Sequence, residues 1–245
     1  MPQSKPGLKI AEQFYSVQGE SVTAGTPAVF LRLTACNLLC HFCDTIEVWK
    51  QGERFTNEEI VKHWSNEGWL KRLRLPGTNL VITGGEPMLQ ADGIVDLLVY
   101  LNGRHGIRPY TEIETNGTIL PSPLLSAMVN QYNVSPKTEN SGADRDKRYN
   151  EEAFEYFKRD ALSGGKTYFK YVVSEEEDVN SIIPMFNMTE FTRLIQSGRI
   201  FLMPEADCQE QMAENSEMVM DLCKKHGFRF SSRLQIVAWN KTTGV

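Results

Sequence analysis

Short apolar runs alternate with amphipathic stretches along most of the chain. The runs at residues 28–33, 79–83, 110–114, 132–135, 168–173 and 200–203 are rich in Val, Ile, Phe, Tyr and Leu and predict β-strands. Between them, Thr56 followed by Glu59 forms a capping box that opens a helix running to about Leu70. Asp92 is placed to cap a helix with Ile94, Val95, Leu97, Leu98 and Leu101 inward, and Gly106 stops it. Residues 213–226 repeat the pattern, with Met218, Val219, Leu222 and Cys223 inward and Gly227 as the stop. Residues 137–147, dominated by Asn, Gly, Asp and Lys, predict a mobile loop, and Gly164-Gly165 a break. Strands alternating with helices predict the α/β class, a mainly parallel sheet with helices outside it.

Composition narrows the setting. At 245 residues the chain has a length at which α/β barrels form one unit, so a single domain over 1–245 is expected. Hydrophobic residues make up 41% and charged residues 23%, which is globular rather than disordered, and no apolar run approaches membrane-spanning length. No membrane partner is expected. The N-terminal Met1-Pro2-Gln3-Ser4-Lys5-Pro6-Gly7 lacks an apolar h-region, which predicts a reducing, cytoplasmic setting. A net charge of −5 argues against a broad nucleic-acid footprint, so direct nucleic-acid binding is not expected.

The candidate chemistry sits in one loop. Cys36, Cys40 and Cys43 lie in a C-x₃-C-x₂-C spacing that offers three thiolates to a 4Fe–4S cluster needing four ligands. The iron left open can chelate an amine and a carboxylate, and the methionine end of S-adenosylmethionine carries both. An electron passed to the sulfonium would release a 5′-deoxyadenosyl radical that abstracts hydrogen from unactivated carbon. A structural zinc site using the same cysteines with His41 or a distant ligand is the open alternative, although zinc sites more often pair cysteines two residues apart. The adjacent residues Cys40 and His41 do not comfortably reach one metal. Cys208 and Cys223 are singly placed and read as core thiols.

Further signals gather at strand ends. Thr83-Gly84-Gly85-Glu86-Pro87 follows Leu80-Val81-Ile82, so two glycines stand where a parallel strand emerges and backbone can approach a ligand. Glu114-Thr115-Asn116-Gly117 and Ser135-Pro136-Lys137 end two further strands. Arg32 lies on an inward strand position, where either an internal salt bridge or a carboxylate ligand must satisfy it.

Taken with Gln18-Gly19-Glu20, Pro27-Ala28-Val29-Phe30 before Arg32, Cys43-Asp44-Thr45 and residues 83–90, 114–118 and 135–137, nearly the whole chain resembles the 7-carboxy-7-deazaguanine synthase family of the radical S-adenosylmethionine superfamily. The resemblance implies an incomplete (β/α) barrel with its active site at the C-terminal mouth of the strands, and a homodimer. It implies a carbon–nitrogen lyase of queuosine and 7-deazaguanine biosynthesis that contracts the ring of 6-carboxy-5,6,7,8-tetrahydropterin, with loss of ammonia, to 7-carboxy-7-deazaguanine. A 4Fe–4S cluster, S-adenosylmethionine and Mg²⁺ are the implied cofactors, and a flavodoxin- or ferredoxin-like protein the electron donor. By the same resemblance, Val17, Gln18, Gly19, Arg32 and Thr83 contact the pterin. Phe42, Cys43, Asp44, Gly85, Ser135, Pro136 and Lys137 hold S-adenosylmethionine, Cys36, Cys40 and Cys43 bind the cluster, and Thr45 binds Mg²⁺. No protein group beyond the cofactors is assigned a catalytic role.

The chain departs from the family pattern in places. Leu39 stands where the family often has arginine, Ser21 where glycine is common, and the tail from Trp239 to Val245 lacks a glycine and an arginine of related tails. Residues 175–192 carry no motif. A glycyl-radical activating enzyme would share the cysteine loop and Gly-Gly-Glu-Pro but would need no pocket built from Gln18, Arg32 and Thr45. A zinc-binding interaction module would need neither glycine motif.

Overall fold

The computed structural model describes residues 7–245, and of the N-terminal segment Met1 to Gly7 all but Gly7 lies outside the described residues. Among the described residues nine strands form one sheet: β1 (Leu8–Val17), β2 (Pro27–Leu33), β3 (Glu53–Phe55), β4 (Asn79–Gly84), β5 (Tyr110–Thr115), β6 (Gln131–Val134), β7 (Thr167–Val173), β8 (Ile200–Pro204) and β9 (Arg229–Phe230). Their order is β3-β1-β2-β4-β5-β6-β7-β8-β9. From β2 to β9 every neighbouring pair is parallel, whereas β1 runs antiparallel to β2 and β3. The order begins at β3 and ends at β9 without closing, which gives an incomplete barrel. All six predicted strands are present, each end within one residue of its predicted place. The three not predicted are explicable: β3 and β9 are too short for a periodic signal, and most of β1 is only half-buried, so its alternation is weak.

The helices are α1 (Ile46–Trp49), α2 (Asn57–Asn66), α3 (Trp69–Arg74), α4 (Ala91–His105), α5 (Pro123–Met128), α6 (Arg145–Arg148), α7 (Glu151–Leu162), α8 (Glu176–Ile182), α9 (Met188–Gln196), α10 (Gln209–His226) and α11 (Leu234–Trp239). The capping box at Thr56 and Glu59 is formed, but α2 ends at Asn66 instead of running to Leu70, because Gly68 takes a left-handed φ of 75° and a new helix starts at Trp69. Gln90, not Asp92, precedes α4, since a short 3₁₀ turn from Pro87 to Gln90 leads straight into it. Asp92 complements the helix dipole from inside the first turn. The helix expected over 213–226 begins earlier, at Gln209. The segment expected as a loop, 137–147, holds a 3₁₀ turn and most of α6. Residues 175–192, silent as a motif, form α8 and the start of α9, each opened by its own capping box.

The strands present two different faces. Leu31, Leu80, Ile82, Ile113, Val134, Phe169 and Leu202 belong to the large apolar cluster under the helices. The alternate residues, among them Arg32, Thr83, Glu112, Glu114, Asn133 and Lys170, point the other way, into the barrel. That inner face leads up to the strand ends where the motifs gather.

Candidate active site

The cysteine loop is fastened at both ends. It leaves β2 through Ala35, whose φ of 70° is unusual for a residue with a Cβ. Ala35 donates its N–H to the Trp49 carbonyl at 3.1 Å and accepts from the Glu86 N–H at 2.8 Å. The β4 exit approaches so closely that a Cβ on Gly85 would fall 2.2 Å from the Ala35 oxygen and 2.8 Å from the Cys36 Cβ, so only glycine fits there. Asn37 donates to the Thr118 hydroxyl and accepts from the Asn116 amide, each at 2.9 Å, tying the loop to the β5 exit. The glutamate of Gly-Gly-Glu-Pro is fully buried and accepts from the N–H groups of Met88 and Asn116 and the Thr115 hydroxyl. It is a strut between two strand ends, and burial raises its pKa against those donors. His41 donates its N–H to Ser141 at 3.0 Å and lays its imidazole in the space a Cβ on Gly142 would take.

All five cysteines are free thiols. Burial, reinforced by Glu86 and the neighbouring thiols, pushes Cys36 up to about 11 against one opposing N–H from Leu38. Burial also raises Cys40, against the pull of the Lys137 ammonium. Capture of iron must therefore displace protons. Among the described residues no three His, Cys, Asp or Glu side chains converge closely enough to hold a single metal ion. Cys36, Cys40 and Cys43 nevertheless line one cavity, as a cluster in which each thiolate takes its own iron requires. The Leu38 N–H points at the Cys36 sulfur and the Trp49 indole N–H at the Cys43 sulfur, both at 3.4 Å, as thiolate ligands require. Cys223 is buried in the main core as expected. Cys208 is not a core thiol: it sits half-buried at the start of α10.

The cavity has a volume of about 450 Å³. Val17, Gln18, Gly19, Arg32 and Thr83 line it, as do Phe42, Asp44, Thr45, Gly85, Ser135 and Lys137. Pro136, which joins the last two, does not. Arg32 donates through Nε to Glu12 at 2.9 Å, so the internal salt bridge is real, yet Arg32 still lines the cavity. Lys137 donates to the Ser135 hydroxyl at 2.8 Å and stands 5.7 Å from the centre of the Phe42 ring. Burial disfavours its charge and the thiols oppose that shift. The Thr45 hydroxyl does not cap α1 and lies 4.0 Å from the Cys43 sulfur.

Several site residues were assigned no role from the sequence, although Glu20 and Glu114 stand in its motifs. Glu114 faces the cavity, accepting from Gln18 at 3.2 Å and from Thr83 at 3.1 Å, so it joins two residues implicated separately. Beneath it Glu112 is fully buried and accepts from Thr23, Asn79, Gln131 and Asn133, while burial raises its pKa. At the open side of the barrel Glu20 takes the Lys170 ammonium on one oxygen and Arg233 and Gln235 on the other. Burial opposes its ionisation, but Lys170 and Arg233 prevail and hold its pKa at about 2. Arg233 also donates to Asp44, next to Cys43, and Leu234 donates its N–H to Gly19 at 3.0 Å. Glu20 and Asp44 stand in sequence motifs, and a lysine inside the apolar run of β7 was a further hint of this junction. Arg233 offered none.

Comparison with known proteins accords with this geometry. Residues 31–176 match the family model described as the Radical SAM superfamily. The chain is 34% identical to the 7-carboxy-7-deazaguanine synthase of Pyrobaculum aerophilum over 98% of both chains. It is 30% identical to that of Halobacterium salinarum, covering 96% of this chain and 91% of the relative. In three dimensions it resembles QueE from Escherichia coli, with a TM-score of 0.64 and 21% identity over 92% of this chain and 93% of that one. Similarity to anSMEcpe with bound AdoMet is more distant, with a TM-score of 0.52 and 17% identity over 84% of this chain and 62% of that one. With its fold, its cysteine loop and relatives that match it end to end, the chain belongs to the radical S-adenosylmethionine superfamily and, within it, to the 7-carboxy-7-deazaguanine synthase family.

Proposed function

We propose that this chain is a lyase that converts 6-carboxy-5,6,7,8-tetrahydropterin into 7-carboxy-7-deazaguanine with loss of ammonia, in a single domain. The observation that carries this reading is the junction, in one cavity, of the three-cysteine loop with an inner wall of Gln18, Thr83, Glu114 and Arg32. The cysteines fit a 4Fe–4S cluster, and Gly85, Phe42, Asp44 and the Ser135–Lys137 turn fit S-adenosylmethionine. When bound, these two groups supply a radical able to take hydrogen from carbon.

The chain's own residues select and hold the substrate. Glu114, fixed by Gln18 and Thr83, presents a carboxylate that accepts two N–H groups of the pterin's aminopyrimidine edge. Arg32 has its Nε engaged by Glu12, which leaves its terminal nitrogens for the substrate carboxylate. Thr45 offers a hydroxyl to Mg²⁺, which keeps most of its shell as water and substrate oxygen. Lys137 brings a cation to the carboxylate end of S-adenosylmethionine. Supporting the reading further, the family resemblance brings a homodimer, a flavodoxin- or ferredoxin-like one-electron donor and a cytoplasmic setting. No helix among the described residues is long and apolar enough to cross a membrane.

The test is anaerobic turnover of 6-carboxy-5,6,7,8-tetrahydropterin by the iron-loaded protein, with S-adenosylmethionine, Mg²⁺ and a reductant. Formation of 7-carboxy-7-deazaguanine, lost on replacing any of Cys36, Cys40 or Cys43 by Ala, is the expected result. A brown, iron-loaded protein that leaves this substrate unchanged would overturn the assignment.

A further inference from the structure

We propose that Trp49 is a positioning residue of the cluster, whose indole N–H bonds to the Cys43 thiolate and sets how readily the iron–sulfur group accepts an electron. The inference rests on the reading that Cys43 ligates iron, and goes beyond it.

Four observations carry it. Trp49 is buried, only 6% exposed, and among the described residues it is not a member of the three apolar clusters. A buried indole N–H needs an acceptor, and the one it reaches is the Cys43 sulfur, at 3.4 Å. The Trp49 carbonyl accepts the N–H of Ala35, the residue before Cys36, so one side chain and its own backbone grip the loop just before its first cysteine and at its third. Trp49 also lines the cavity, at the end of the four-residue helix α1.

The electrostatic consequence is direct. A thiolate ligand becomes more electron-rich when the cluster gains an electron, so an N–H dipole aimed at its sulfur stabilises the reduced form more than the oxidised form. The step is a one-electron transfer in which a carrier of the flavodoxin or ferredoxin class is oxidised and the cluster reduced. Without the indole donor the midpoint potential must fall, and the same carrier reduces a smaller fraction of the enzyme.

The test uses the anaerobically loaded, full-length protein. Trp49→Phe keeps a ring in the space and removes the N–H. It is expected to retain its iron while its midpoint potential, read from a mediated redox titration, shifts to more negative values. Wild-type protein grown with indole-¹⁵N tryptophan should show a ¹⁵N hyperfine coupling to the reduced cluster, since Trp64, Trp69 and Trp239 lie outside the cavity. An unchanged potential in an iron-replete Trp49→Phe protein overturns the proposal. If that variant loses its iron, the wild-type hyperfine measurement decides, and no coupling overturns it. Wild-type protein that binds no iron would instead count against the function proposed above, so the two failures are distinguishable.

Discussion

The two faces of β4 to β8 are made by alternate residues of the same strands and are built on opposite principles. Outward, Ile82, Ile113, Val134, Phe169 and Leu202 pack against helices in one continuous apolar cluster. Inward, Thr83, Glu114, Asn133 and Lys170 are joined by hydrogen bonds and ion pairs. The outer face draws on area removed from water, which tolerates exchange among side chains of similar volume. The inner face depends on particular donors meeting particular acceptors: five different side chains, Gln18, Thr23, Asn79, Gln131 and Asn133, donate to Glu112 alone. A buried network of this kind is tolerable only when its members are satisfied. A slip of one residue in any strand would exchange the faces, so register carries both the stability of the fold and the recognition of the ligand.

This contrast is broken most easily by truncating each face in turn. Phe169→Ala removes a fully buried ring from the outer cluster and should lower stability by about 3–5 kcal/mol in equilibrium urea unfolding. Glu20→Gln at the open side of the barrel should approach that loss, on the order of 3 kcal/mol, because it leaves Lys170 and Arg233 buried beside a neutral group. Glu20 also gives the inner face a dependence on acid that the outer face lacks. Its pKa in the fold, about 2, lies below the ordinary 4.5, so its contribution is complete above about pH 4.5 and is lost as pH falls toward 2. Unfolding of wild-type apoprotein across that window should be steeper in pH than that of Glu20→Gln. Parallel profiles would show that the junction is not held by this carboxylate.

Glu114→Gln sharpens the contrast from the other direction. Gln18 and Thr83 donate to different oxygens of Glu114, so the amide oxygen keeps the Gln18 bond while the Thr83 hydroxyl turns to accept from the new NH2, and stability should change by less than about 1 kcal/mol. Pterin affinity should fall by about 1–3 kcal/mol, because one acceptor of a charged pair becomes a donor. Calorimetric binding beside urea unfolding separates these effects. A large loss of stability with unchanged affinity would make Glu114 a second Glu112.

How much of this was legible in the sequence follows the same division. The outer face announces itself: Leu80-Val81-Ile82 and Tyr168 to Val173 give their strands almost to the residue, because burial of apolar side chains is a local, periodic signal. The cysteine spacing and the glycines at 84 and 85 are also local, since one loop must reach one cluster. Junctions between distant segments leave no periodic trace. Arg233 meets Glu20 across 213 residues of chain and Asp44 across 189, and nothing near Arg233 marks it as buried. Glu112 and Glu114 could have been found, because two carboxylates spaced by two on a strand with Ile113 between them must share the face opposite the core. So could the length of α2, since Gly68 takes the left-handed conformation that the glycines at 106 and 227 take at the ends of their helices.

The smallest structural effect is expected at Thr45, and it tests whether a polar group in the cavity can matter to function alone. Its hydroxyl caps no helix and lies 4.0 Å from the Cys43 sulfur, beyond the reach of a strong bond. Thr45→Ala should therefore leave urea unfolding within about 0.5 kcal/mol of wild type. Iron content should be unchanged as well, because the hydroxyl is not a cluster ligand. If the hydroxyl binds Mg²⁺, the variant should lose most of the stimulation of turnover by added Mg²⁺ while keeping its residual activity. The comparison needs Mg²⁺ titrations of both proteins at matched iron loading. An undiminished Mg²⁺ response would remove Thr45 from the metal site and leave the cluster and the pterin wall as they are. A drop in iron with no change in Mg²⁺ response would instead place the hydroxyl in support of Cys43.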